Sequence, residues 1–196
     1  YHEAGHALAA AALPNADPVH KVSIVARGRA AGYTLKLPLQ ERHLYSKSHF
    51  LDELVVSLGG YTAEKIVFKD LTTGAADDLS KATDIARALI TKYGMSEKIG
   101  PITLSDEEEM VFLGKELGMA AKHYSDETAT IVDRELSRIM KEAFKRAGTI
   151  LEKNRPALDA LANKLMEQES IERQEFEEIM RSFGLKTKAL PEGYSA

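Results

Sequence analysis

The chain of 196 residues contains no cysteine. That excludes a disulfide framework and any thiolate-held metal, so a metal site here has to use histidine and carboxylate. The absence also suits a reducing compartment. Long apolar runs are missing too. The longest candidate, Ala7–Leu13, is half a helix, ends at Pro14 and falls well short of the roughly 20 residues of a membrane span. No secretory signal pattern is present. There is no basic excess: net charge is −4. Lysine and arginine are scattered, and the 7% aromatic content shows no base-stacking pattern, so nothing invites nucleic acid. What remains, 44% hydrophobic and 29% charged residues, is the composition of an ordinary globular protein. The length suits one large domain, or a compact domain with an appendage.

A first helix is expected from Tyr1 to Leu13, closed by "PNADP". "KVSIVA" and "AGYTLKL" are β-rich runs joined by a glycine-containing turn, which predicts a hairpin or two neighbouring strands. Phe50, Leu51, Leu54, Val55 and Leu58 then form a helical stripe. Gly59-Gly60 reads as a break, followed by a short helix to Phe68. "KDLTTGA" reads as a loop, and the next helix turns Leu79, Ala82, Ile85, Ala86 and Leu89 inward and stops at Gly94. One short strand is expected at "PITL", and the acidic run Ser105–Glu109 reads as an exposed loop. Ser125 is a good N-cap for a long helix, Pro156 opens a second at its first position, and a third carries Phe176, Ile179 and Phe183 inward and stops at Gly184. The opening helix carries His2-Glu3-Ala4-Gly5-His6, an H-E-x-x-H pattern of zincin type, and the expected fold is mainly α with a small β-sheet (α+β): that helix near the sheet, then a C-terminal helical bundle. Residues 1–104 form the metal-binding part, 105–184 the helical part of the same domain, and 185–196 a mobile tail.

Within the first helix, His2-Glu3-Ala4-Gly5-His6 fits H-E-x-x-H. Positions i and i+4 lie on one helical face, so both imidazoles can reach one Zn²⁺. Glu3 is then placed to take a proton from zinc-bound water, and the reaction class is amide hydrolysis. A third protein ligand is needed. The longer H-E-x-x-H-x-x-G-x-x-H pattern fails, because Ala9 and Ala12 hold the last two motif positions. Glu41, Glu53, Glu64, Asp70, Asp77 and Asp78 remain as candidates. Glu41 and Glu53 read as solvated. Glu64 fits either a ligand or an acceptor orienting an imidazole. Asp77 and Asp78 also suit a helix N-terminus, where acidic side chains favour the dipole. Spacing alone does not choose among them. His20, His43, His49 and His123 lack a histidine partner at i+4 and read as structural or solvated.

"HEAGHA", "RGRAAGYTL", "GGYTAEKIVF", "TTGAADDLSKATDIAR" and "YGMSEKIGP" occur in that order. Together they resemble the peptidase domain of the FtsH family of membrane-anchored, ATP-dependent zinc proteases, from residue 1 to about 183. The resemblance implies that His2 and His6 bind zinc, that Glu3 is the catalytic base, that Asp78 is the third ligand and that Glu64 supports the site. It also implies a membrane anchor and an AAA+ ATPase module before this domain, and the chain reads as a fragment of such a protein. ATP would act only through that module, since no G-x-x-x-x-G-K-[ST] occurs here. The implied assembly is a homo-hexamer acting on unfolded polypeptides. The implied location is the bacterial inner membrane, or an organellar one, with this part in the cytoplasm and out of contact with lipid.

An endopeptidase must hold its substrate extended, and strand addition does so with little sequence preference. "AGYTLKL" is the candidate edge strand, with Gly32, Tyr33 and Thr34 as expected substrate contacts. The competing expectation is a catalytically silent oligomerisation domain. The intact His2, Glu3 and His6 favour the enzyme.

Overall fold

The computed structural model describes residues 1–25, 32–36, 44–104 and 124–188. Glu41, His43, the acidic run 105–109, His123 and residues 189–196 of the expected tail lie outside them.

The first helix, α1 (His2–Ala12), is buried from Ala4 to Ala10. Alanine is the best helix former and adds little width, which is what a helix packed on several sides requires. It packs against α2 (Lys47–Ser57), α3 (Gly59–Phe68), α5 (Asp126–Lys153) and α6 (Arg155–Gln168). Against α3 the approach is backbone to backbone. A Cβ on Gly5 would stand 2.4 Å from the Gly59 carbonyl oxygen, and one on Gly59 would stand 2.7 Å from that of Gly5. The Gly-Gly pair is therefore not the break the sequence suggests. Leu58 (φ −86°, ψ 0°) makes the corner between α2 and α3, and the glycines lie inside α3, where their missing side chains admit α1.

The hairpin is present as β1 (Val19–Ser23) antiparallel to β2 (Tyr33–Lys36). The sheet has a third member that hydrophobic patterning did not reveal. β3 (Ser170–Glu172) pairs antiparallel with β1, bringing Ile171 opposite Val22. The strand order is β2-β1-β3, so among the described residues β2 is an edge. Val22 and Ile171 are both fully buried.

A single 3₁₀ turn at Thr73–Ala75 leads into α4 (Ala76–Thr91). Ala82, Ala86 and Leu89 face inward as expected, and Gly94 ends the segment with φ +58°. "PITL" forms no strand. Leu104 N–H donates to the Thr91 carbonyl at 2.7 Å, closing an orphan acceptor at the end of α4. Ser125 caps α5, its side chain accepting from Thr128 N–H at 3.2 Å. Pro156 lies in the first turn of α6, and Leu158, Leu161 and Leu165 are buried. In α7 (Arg173–Ser182) Phe176 and Met180 are buried; Phe183, expected inward, is 42% exposed. Residues 185–188, expected as the start of a mobile tail, are tied down. Leu185 packs on the core, and the half-buried Lys188 ammonium donates to the carbonyl of Ala10 in the last turn of α1 and to that of Ala16 just beyond it.

Candidate metal centre

His2 and His6 project from one face of α1 into an open cleft of about 540 Å³. Across it, the 3₁₀ turn delivers the first turn of α4 and with it Asp78. The three side chains converge. His2 Nε2 and Asp78 Oδ2 are 3.0 Å apart, His6 Nε2 and Asp78 Oδ2 3.1 Å, and the two Nε2 atoms 3.1 Å.

Hydrogen-bond partners on the far side of each ring assign its tautomer. His6 Nδ1–H donates to the Val56 carbonyl at 2.7 Å, and His2 Nδ1–H donates to Glu64 Oε1 at 2.8 Å. Each neutral ring then turns its Nε2 lone pair toward Asp78. Three acceptors with no proton between them repel one another unless a cation sits there. Neutral imidazole nitrogen with carboxylate oxygen is a donor set that suits zinc. The orienting bonds to Val56 and Glu64 are the kind that fix metal-binding histidines.

Without a cation, a proton on an imidazole can take the same place between the rings and Asp78. Burial pushes the Asp78 carboxyl up, but His2 and His6 outweigh it and hold it well below the usual carboxylate range. Burial likewise lowers His2, and its bonds to Asp78 and Glu64 outweigh that and raise it. A proton on His2 and a metal cation compete for the same lone pair, so metal affinity falls in acid.

Glu64 is buried, and its second oxygen accepts from Thr72 N–H at 2.9 Å and Thr72 Oγ1 at 3.1 Å. Burial raises its pKa, but Thr72 and His2 prevail and the net shift is downward. Glu64 thus links the histidine helix to the loop that delivers Asp78. Asp77 lines the same cleft but is exposed, and Asp70 accepts its neighbour's Leu71 N–H at 2.8 Å. Glu53, expected to be solvated, is instead half-buried on α2 and pairs with Lys36 at 2.6 Å.

Glu3 lies beside the cluster at the cleft wall, with Gly32, Tyr33 and Thr34 along β2. Thr34, expected to meet substrate, directs its hydroxyl to Glu3 Oε2 at 3.0 Å. One residue that sequence reasoning missed is Gly60. A Cβ there would lie 2.5 Å from His2 Nε2, His2 Cε1 and His6 Nε2 alike, so the rings occupy the space a side chain would fill. The available signal was a glycine kept inside a helix that it weakens.

A second group, Asp17, His49 and Glu53, also brings potential ligand atoms within 4.8 Å of one another. It differs in charge. Lys36 pairs with Glu53, and the Lys188 ammonium lies in the field of Asp17, Asp52 and Glu53. Side-chain cations thus offset part of the group's negative charge, although Asp17 Oδ1 and Glu53 Oε1 are buried without a hydrogen-bond partner among the described residues. His49 is structural, as expected: it is buried, and its Nδ1–H donates to the Asn15 carbonyl at 2.8 Å.

The profile of peptidase family M41 matches residues 1–179. The chain belongs to that family. It is 49% identical over 179 residues to the ATP-dependent zinc metalloprotease FtsH 1 of Thermoanaerobacter sp. (strain X514), covering 91% of this chain and 29% of that protein. A relative of the same name from Sphaerobacter thermophilus is also 49% identical over 179 residues, covering 91% of the chain and 27% of its own length. The FtsH of Nitrosococcus oceani is 46% identical over 192 residues, 98% of the chain and 29% of its own length. This M41 chain therefore spans less than a third of the relatives it matches. Among the described residues no helix is long and apolar enough to cross a membrane.

Proposed function

We propose that this M41 chain is the zinc-dependent endopeptidase part of a longer ATP-driven protease. His2, His6 and Asp78 hold the ion, and Glu64 and the Val56 carbonyl orient the two imidazoles. When bound, the ion supplies Lewis-acid polarisation of the peptide carbonyl and makes water acidic enough to react near neutral pH. Glu3 accepts the proton that the attacking water loses and returns it to the leaving amine. The substrate is an unfolded polypeptide, laid extended along the open edge of β2, where main-chain hydrogen bonds hold it without reading its sequence. The observation that carries this reading is the meeting of three ligand atoms, His2 Nε2, His6 Nε2 and Asp78 Oδ2, with each imidazole turned inward by a bond behind its ring.

In the full-length protein, we infer, an AAA+ module feeds this site, the assembly is a homo-hexamer, and a membrane anchor holds it to the bacterial inner membrane with this part in the cytoplasm. Residues 1–104 carry the catalytic groups, and the helices after residue 105 contribute to subunit contacts.

Casein digestion and metal analysis test the core of the reading. The parent should hold about one zinc per chain and degrade casein. Glu3→Gln should keep the metal and lose at least about 100-fold in rate. Asp78→Asn should lose the metal, and Asp77→Asn should keep it. A zinc-loaded parent that leaves casein intact ends the enzyme reading; full retention of zinc by Asp78→Asn ends the ligand assignment.

A further inference from the structure

Thr34 stands on the edge strand, yet its hydroxyl reaches the helix that carries the histidines. Oγ1 donates to Glu3 Oε2 at 3.0 Å, with the main-chain oxygen of Glu3 a more distant acceptor at 3.3 Å. Threonine has one hydroxyl proton, and the shorter, charge-assisted bond takes it. Residue 32 projects on the same face of the strand as residue 34. A Cβ on Gly32 would stand 2.8 Å from Glu3 Oε1 and 2.9 Å from Glu3 Cγ. The carboxylate is thus seated from two sides. One oxygen is held by Thr34, and the other rests over a position with no side chain.

We propose that Thr34 is a positioning residue: its hydroxyl holds Glu3 through Oε2 and leaves Oε1 as the oxygen that takes the proton. This deepens the endopeptidase reading and rests on it. A glutamate on the first turn of a helix, facing a cleft, has several staggered rotamers open to it. The bond to Thr34, with the space at Gly32, selects one. The strand that receives the peptide then also sets the base, so the distance between them is built into residue 34. That matters because a misplacement of about 1 Å can cost on the order of 100-fold in rate. Lys36, two residues further along the strand, is fixed as well, through Glu53 at 2.6 Å.

Thr34→Val keeps the shape and removes the donor. On a fluorogenic casein-derived peptide, kcat should fall about 10- to 100-fold, with KM within about twofold and zinc content unchanged. Thr34→Ser should recover kcat to within about threefold of the parent, because it restores the hydroxyl. Three kinetic results overturn the proposal: a Thr34→Val kcat at the parent level, a raised KM with kcat kept, or a serine variant as slow as the valine one. Crystal structures of the parent and Thr34→Val read the seat directly. A Glu3 carboxylate displaced by about 1 Å or more supports it, and an unmoved one overturns it. That readout stands even if the parent cleaves nothing, a result that would remove the endopeptidase reading alone.

Discussion

At the scale of single residues, the metal cluster depends on an atom that is missing. Gly60 Cα lies under both imidazoles, and any side chain there would meet them at 2.5 Å. Gly60→Ala should therefore lower zinc affinity about 10- to 100-fold while leaving helix content intact. Competition against a chromophoric chelator, with far-ultraviolet circular dichroism as control, measures both. His2, Glu3 and His6 were legible in the sequence because a helix turns i and i+4 to one side whatever surrounds it. Asp78 was legible only as one of several carboxylates. It and Asp77 point about 100° apart on their helix, and which one meets the histidines is decided by how α4 docks on α1. Gly60 was not legible, since a missing Cβ has meaning only once its neighbours are known. The bond from Thr34 to Glu3 was not legible, because strand patterning shows which residues share a face, not what covers that face.

At the scale of elements, the helices followed from their apolar periods and caps, and Ser125, Pro156 and Gly94 stand where their chemistry predicts. β3 escaped because three residues, Ser170-Ile171-Glu172, cannot show an alternation. Its existence follows from pairing with β1, about 150 residues earlier in the chain. The return of Lys188 to α1 escaped as well. Its ammonium is half-buried and close to the Ala10 carbonyl in the last turn of α1, where a positive charge is favoured. Burial nevertheless lowers its pKa from 10.5 to about 8, against the pull of Asp17, Asp52 and Glu53. Between those two values the unfolded chain holds a proton that the folded one has released, so stability rises with pH across that window. Lys188→Met removes this dependence. In urea unfolding, the stability of the parent relative to the variant should climb from pH 8 to pH 10.5. A constant difference would show that the amine is solvated.

At the scale of the whole molecule, the expected stretches 1–104 and 105–184 interlock. β1 takes its second neighbour from residues 170–172, and the Tyr1 hydroxyl donates to Asp159 at 2.9 Å. Ending the chain at residue 168 would remove β3 and α7, and with them the burial of Ile171, Phe176 and Met180. At about 1.5–3 kcal/mol for each such side chain, the loss is comparable to the roughly 5–15 kcal/mol that holds a domain together. The truncated chain should show a collapsed thermal transition and no stoichiometric zinc, measured by calorimetry and metal analysis. A cooperative transition within a few degrees of the parent would contradict this.

The late arrival of β3 has a consequence for biosynthesis. Within this stretch the histidines and Glu3 are made early, whereas β2, whose Thr34 bonds Glu3, pairs with β1, whose other flank stays open until residue 172 has been made. The two histidines and Glu3 are thus made well before the sheet beside them can be completed, and that completion waits for residues 170–172.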